Sequence, residues 1–422
     1  MDVADLEVMN LKVLLEQYRD SPRLFQLADR LSFADTQRIF LKNLQGSSAE
    51  FIVSALFAHP ACREINHLLV LNDAEEAAYF HNTLENLTNA LDLFYFPSSF
   101  KNRKNFRLLN SSHVMLRTEA LTRLAPGGNR KIIVTYPEAL FEKVVLPKTL
   151  RNNIISIKTN DTISPDSLME LFVMYGFERT DFVYEPGQFA LRGGILDIYS
   201  FGNEKPYRVE LFGNEVDSIR IFDPESQLSE RKLMQVNIIP NVETQFESGD
   251  KVSLLEFLPA NTVVWLKDWD VIQQKINDQQ DDLGGFISMF ESGYNMQGEE
   301  EDDSKVLKDV KWDDFVKNDV ITEQLQSRHI VEFGLKPHMA GFEIDFRTKP
   351  QPAFNRRFDM LISDLKTKEA AGYKIYVFAE QVRQLERLNS IFTDLKTELH
   401  DIVKENPDTA AAILRSWIGE AA

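Results

Sequence analysis

Cysteine is almost missing from this chain. One thiol, Cys62, in 422 residues excludes a disulfide framework and a cysteine-based zinc site. It sits in "AHPACREI" and reads as a small buried side chain. Long apolar runs are missing too: none reaches the ~18 residues that a membrane helix needs. The opening stretch "MDVADLEVMNLKVLLEQY" is acidic and amphipathic, unlike a signal peptide. Basic residues are in deficit, 47 Lys+Arg against 65 Asp+Glu, for a net charge of −18. A field of that sign repels phosphate backbones, so non-specific DNA binding would need a local basic face. The 7 histidines are scattered without metal-ligand spacing. No G-x-S-x-G, H-E-x-x-H or Cys/His pair and no solenoid-length repeat is found. What remains fits a cytoplasmic globular protein, 43% hydrophobic and 27% charged, long enough for about two to four domains.

Along the chain, residues 1–145 alternate helix and strand signals. "LEVMNLKVLLEQYRD" and "SPRLFQLADRLS" have helical spacing, the second with Ser21 at the N-cap and Pro22 at the first helical position. "HLLVLND", "LDLFYFP" and "KIIVTYPEAL" read as strands, with "AEEAAYFHNTLENLTNALD" as an intervening helix. That rhythm predicts a parallel α/β sheet. Residues 146–235 differ. "SPDSLMELFVMYG" is a helix capped by Ser164, opened by Pro165 and closed by Gly176. The strands "DFVYE", "QFALRGGILDIYS", "PYRVELFG" and "EVDSIRIFD" follow, with Gly213-Asn214 as a hairpin turn. This predicts an antiparallel meander beside one helix, an α+β insert. The α/β rhythm returns over 236–345, where "NTVVWLKDWDVIQQKIND" reads strand then helix, interrupted by the acidic loop "NMQGEEEDDSKVLKDVKWDD". A further, partial α/β unit spans 346–422 and ends in amphipathic helices broken at Asn406-Pro407, with Ile413, Leu414, Trp417 and Ile418 available to a partner groove.

Three constellations carry potential chemistry. "NLQGSSAEF" lies where a phosphate loop would sit, but its frame supplies Asn43, Gly46, Ser48, Ala49 and Glu50. A working loop needs a lysine for the β/γ phosphates and a Ser/Thr for magnesium. Spacing alone favours a polar helix start. "VVWLKDWDVI" resembles a strand ending in a magnesium-holding aspartate, yet Lys267 takes the first position after the apolar run, ahead of Asp268 and Asp270. The third set is Arg179, Arg192 and Tyr199. In a regular strand Arg192 and Gly194 would share a face, and the glycines would leave the guanidinium uncovered and let a partner's backbone approach. Spacing alone favours a surface salt bridge from these arginines to Glu178, Asp181 or Glu185.

The run "YEPGQFALRGGILDIYSFGNEKPYRVELFGNEVDSIRIFDPESQLS" resembles the UvrB-homology module of bacterial nucleotide excision repair, found in UvrB and at the N-terminus of transcription-repair coupling factors. The resemblance covers most of residues 1–345 and is most specific over 184–229. It implies a degenerate helicase-like (RecA-type) parallel α/β domain interrupted by an α+β insert. Ala49 and Glu50 fall on the lysine and threonine positions of the phosphate loop, and Lys267 on the metal-holding aspartate. The coupling-factor type of module is thus implied: no ATPase activity and no cofactor. The alternative is a UvrB-like, ATP-dependent DNA-binding module. No segment within 60–110 resembles UvrB's damage-reading hairpin; "YFPSSFKNRKNF", with its basic stretch Lys101 to Arg107, is short.

The resemblance makes the insert a UvrA-binding domain, places the binding arginines on Arg179 and Arg192, and puts an apolar anchor at Tyr199. It further implies that the full-length protein is an ATP-dependent translocase. There, the protein's own C-terminal domain masks this surface, and RNA polymerase and DNA are engaged beyond residue 422. The end of the chain, "LKTELHDIVKENPDTAAAILRSWIGEAA", departs from that pattern and faintly resembles the FliG-binding segment of the flagellar ring protein FliF.

Overall fold

The structure, a computed structural model, describes residues 11–88, 92–102, 104–128, 130–291, 310–339, 341–355, 357–379 and 400–403. A seven-stranded sheet runs in the order Phe342–Asp345, Arg38–Lys42, Ile330–Phe333, Thr262–Lys267, Asn66–Val70, Ile132–Thr135 and Leu93–Tyr95, with every neighbouring pair parallel. Parallel sheets need cover on both faces. Accordingly, Asn66–Val70 is buried throughout and Thr262–Lys267 up to its last residue. The helix Ser48–Ala58 is apolar around nearly its whole circumference, and all but its glutamate and last residue are buried; an all-round apolar helix belongs inside. Among the described residues no helix is long and apolar enough to cross a membrane. The chain is therefore of the expected α/β class, a helicase-like domain carrying an antiparallel insert.

The insert opens with the helix Pro165–Met174, where Ser164 Oγ accepts from the Ser167 N–H at 3.4 Å and Gly176 closes at φ +77°. Six strands follow, in the order Ser229–Leu233, Glu215–Phe222, Tyr207–Phe212, Ile195–Ile198, Gln188–Arg192 and Glu178–Arg179. All pairs are antiparallel except the last. Gly213-Asn214 is indeed the hairpin turn, with Gly213 at φ +64°. "DFVYE" is not a strand: the Tyr184 and Glu185 N–H groups both donate to Gln188 Oε1, which folds that segment into a loop. The edge position goes instead to Glu178–Arg179. The chain segments entering and leaving this sheet, Ile155–Lys158 and Gln235–Ile238, pair with each other.

One face of the insert sheet (Phe189, Leu196, Val209, Ile219) joins the main core, while Val183, Ala190, Tyr199 and Phe222 form a separate small core on the other. A fully buried Arg117 bonds Glu243 at 2.7 Å and approaches Glu142 at 3.3 Å, which ties the helix Ser111–Leu124 to the segment beyond the insert. After the main sheet come the helix Phe358–Ala370 and the strand Tyr376–Ala379, parallel to His400–Val403. The helix expected after Ala379, the acidic run at 299–303 and the terminal amphipathic helices lie outside the described residues.

Candidate functional site

Two places answer to the sequence expectations. The first lies at the C-terminal end of the parallel sheet. The chain leaves Arg38–Lys42, turns through Asn43 (φ +57°) and Gly46 (φ +54°), and enters the helix Ser48–Ala58. A helix N-terminus here would suit a phosphate. Ser48 Oγ is turned back on the loop, donating to the Gln45 carbonyl and accepting from its N–H at 3.2 Å. Ala49 is buried and offers no cation. Glu50 is half-buried, and desolvation pushes its carboxyl up to about 7, against the stabilising pull of its own N–H and of Lys267. Tyr18, from the helix Leu11–Arg19, stacks on Phe51 at 5.0 Å. An aromatic ring and a carboxyl therefore stand against the first turn of this helix.

Lys267 ends the central strand and forms an ion pair with Glu76. Glu76 is itself held by the Asn72 N–H at 3.1 Å. Burial lowers the Lys267 pKa, while Asp268, Glu50 and Asp73 pull it back up. The ammonium thus sits within an acidic rim. Asp268 is in the left-handed region (φ +49°) and accepts from the Leu335 N–H, while Asp270 pairs with Lys336 at 3.2 Å and His338 at 2.8 Å. Both aspartates are spent on the loop after Ile330–Phe333.

The second place is the insert sheet. Arg192-Gly193-Gly194-Ile195 does not lie inside one strand, as the sequence suggested; it is the turn of a hairpin, with Arg192 paired to Ile195 and Gly193 at φ +61°. Positive φ at the first central position is what a glycine-led two-residue turn requires. The close approach that Gly194 permits is internal: a Cβ there would meet the Leu211 carbonyl oxygen at 2.6 Å. The salt-bridge partner of Arg192 is none of the three carboxylates expected. Its Nη2 donates to Asp197 Oδ2 at 2.6 Å, and its guanidinium lies 4.4 Å over the Phe182 ring. The Arg192 side chain is 36% exposed and that of Asp197 1%. Arg208 grips the same carboxylate, Nε at 2.7 Å and Nη2 at 2.9 Å.

Register does not bring Arg179 and Arg192 to one face. Arg179 pairs with Phe189, and successive residues of a strand point to opposite faces. Arg179 is exposed at the sheet edge. Tyr199 requires a correction as a surface anchor: it is 7% exposed, packed in the small core, and its hydroxyl bonds the Glu204 carbonyl. An apolar ring flanked by Val183 and Phe222 gains more from that core than from water. Sequence reasoning missed Asp197, Arg208 and Phe182. The available signal was Asp197 itself, a carboxylate within the apolar run "GILDIY" that needs a cation if buried.

The family model of the UvrB interaction domain matches residues 155–243. The transcription-repair-coupling factor of Bacillus subtilis (strain 168) is 30% identical over 236 residues, 56% of this chain and 20% of that protein. That of Staphylococcus aureus (strain Mu50) is 23% identical over 397 residues, 79% of this chain and 33% of the relative. The Borreliella burgdorferi factor is 22% identical over 411 residues, covering 87% and 35%. The chain thus spans between a fifth and about a third of the length of these relatives. The chain is thus similar to the UvrB-like part of transcription-repair-coupling factors, and its residues 155–243 match the UvrB interaction domain.

Proposed function

We propose that this chain is a non-catalytic adaptor of transcription-coupled nucleotide excision repair that recruits UvrA through its insert. The observation that carries the reading is Arg192. A buried carboxylate and an aromatic ring hold its guanidinium half-exposed and oriented, inside the segment matched as a UvrB interaction domain. A pre-positioned guanidinium loses little freedom on binding carboxylates or carbonyls. Arg179 is the second proposed contact, at the sheet edge; Tyr199 supports the face from within.

In this reading, residues 1–145 and 236–345 form one degenerate domain, 146–235 the UvrA-binding insert and 346–422 the start of another domain. ATP-dependent translocation, RNA polymerase and DNA then belong to other parts of a longer cytoplasmic protein, with its C-terminal domain masking the insert. Lys267 among carboxylates and Glu50 at the helix start support the absence of ATP turnover, because both oppose a magnesium–triphosphate. The test is binding of this chain to purified UvrA beside an Arg179→Ala/Arg192→Ala variant. Loss of roughly 2 kcal/mol or more in the variant is expected. Unchanged binding moves the site elsewhere. A melting-temperature rise with Mg–ATP would favour the ATP-dependent reading instead.

A further inference from the structure

The chain crosses into the insert and back out of it, and one buried side chain touches both flanks. Arg117, on the helix Ser111–Leu124, is fully buried. Its Nε donates to Glu243 Oε1 at 2.7 Å, and its Nη2 lies 3.3 Å from Glu142 Oε2. Glu142 precedes Ile155–Lys158, by which the chain enters the insert; Glu243 follows Gln235–Ile238, by which it leaves. Both carboxylates are buried. Arg117 Nη1 donates to the Pro97 carbonyl at 2.9 Å, and the guanidinium lies 4.4 Å over the Phe96 ring. Glu142 is fixed in turn by Ser98 Oγ at 2.6 Å and by the Ser99 N–H at 2.9 Å.

The same helix seats the insert directly. Gly202, beyond the strand Ile195–Ile198, comes so close that a Cβ there would stand 3.2 Å from Thr118 Cγ2 and 2.6 Å from Ile239 Cδ1. Ser200 Oγ accepts from the Ile239 N–H at 2.9 Å. Thr118 is the residue after Arg117, so clamp and seat are neighbours. Arg117 shares one positive charge between two carboxylates in a dry interior. Such clusters add little net stability compared with apolar packing of the same volume. What they add is direction, because a guanidinium is a planar fork whose donors meet acceptors only at fixed angles.

We infer that Arg117 is a positioning residue: by holding both flanks of the insert, it fixes the angle at which the insert sheet stands on the parallel sheet. Any partner of the insert is then met at one set orientation, not by a module that swings on its two connections. Motion of this kind is the ordinary expectation for units joined by short chain segments. The inference concerns the joint and not the partner, so it stands or falls independently of the adaptor reading.

The experiment is a distance measurement by pulsed electron paramagnetic resonance on the intact chain. Spin labels are attached through Glu75→Cys and Lys232→Cys, both exposed positions; Cys62 is buried. Two variants are compared with the parent. Glu243→Ala leaves Arg117 its partner Glu142, and Arg117→Met/Glu142→Gln/Glu243→Gln leaves no charge of the cluster uncompensated. Urea midpoints are the folding control. The parent is expected to give one narrow distance, and both variants a distribution about twofold broader or displaced. A variant that folds and keeps the parent's distance overturns the inference, because the apolar contacts around Gly202 then hold the insert by themselves. A broad distribution in the parent overturns it as well. Hydrogen exchange on the intact chain gives a check that needs no variant. Ile155–Lys158 and Gln235–Ile238 are expected to open together with the parallel strands; flanks that open well before them overturn the clamp.

Discussion

Arg192 and Asp197 stand on opposite strands of one hairpin, five residues apart in sequence, with Nη2 and Oδ2 2.6 Å apart. Arg208 closes on the same carboxylate from the next strand. Replacing Asp197 by Asn removes the charge that two guanidiniums share in a buried setting. Losing one partner of such a group is costly, so Asp197→Asn should lower stability by about 2–3 kcal/mol, read from the urea midpoint. Arg192→Met, at a half-exposed position, should cost less than 1 kcal/mol or so while still weakening UvrA binding. Equal costs would mean that the carboxylate does not hold the hairpin.

Gly194 and Gly193 should separate under substitution. Gly194→Ala drives a Cβ towards the Leu211 carbonyl, a backbone group that cannot move aside, and should cost about 2 kcal/mol or more. Gly193→Ala meets open space and carries only the strain of φ +61°, about 1 kcal/mol. Thermal unfolding of the two variants decides it; the reverse order would place the close approach elsewhere.

Lys267 neutralises the rim formed by Glu76, Glu50 and Asp73. Lys267→Ala should leave Glu76 and Glu50 without their cation, with Asp73 keeping only Lys275 at 3.4 Å, and create affinity for a divalent cation where none is expected now. Millimolar Mn²⁺ should raise the melting temperature of the variant by about 2–4 °C and leave the parent chain unmoved. Identical responses would show that the carboxylates do not converge.

Two desolvated groups set opposite pH slopes. The carboxyl of Glu50 titrates at about 7 in the fold, above its ordinary value, so the folded state holds a proton that the unfolded chain has released. Its contribution is therefore present below about pH 4.5 and lost as pH rises through about 7; Glu50→Gln should stabilise the protein at pH 8 more than at pH 5. His67 runs the other way. Burial lowers its pKa to about 4, while Nδ1 accepts from Trp265 Nε1 at 3.2 Å. Its contribution is present above about pH 6.5 and lost as pH falls towards 4. Denaturation midpoints between pH 4 and 8 test both; parallel slopes for parent and Glu50→Gln would sink the first.

Local sequence determined a good deal of this molecule. The unbroken apolar runs around Leu68 and Val264 could only be strands covered on both faces, which is why a parallel α/β sheet was legible. Ser164, Pro165 and Gly176 marked one helix at both ends, and Gly213-Asn214 marked a hairpin, because capping and turn chemistry act over a few residues. The resemblance around Arg192 pointed to the segment that the family model matches.

Tertiary structure decided what depends on distant partners. Arg38–Lys42 lies between strands almost 300 residues downstream, and no local pattern states a strand order. The turn at Gly193-Gly194 was hidden because strand signals continue on both sides of it. Tyr199 alternates like a surface residue; whether that side of the pleat is covered depends on the loop carrying Val183 and on Phe222. A charged row exists only through register: Asp197, Arg208, Arg220 and Lys232 become neighbours when four strands align. Alternation along a strand assigns side chains to two faces, but only the folded chain determines which face stays open and which charges meet on it.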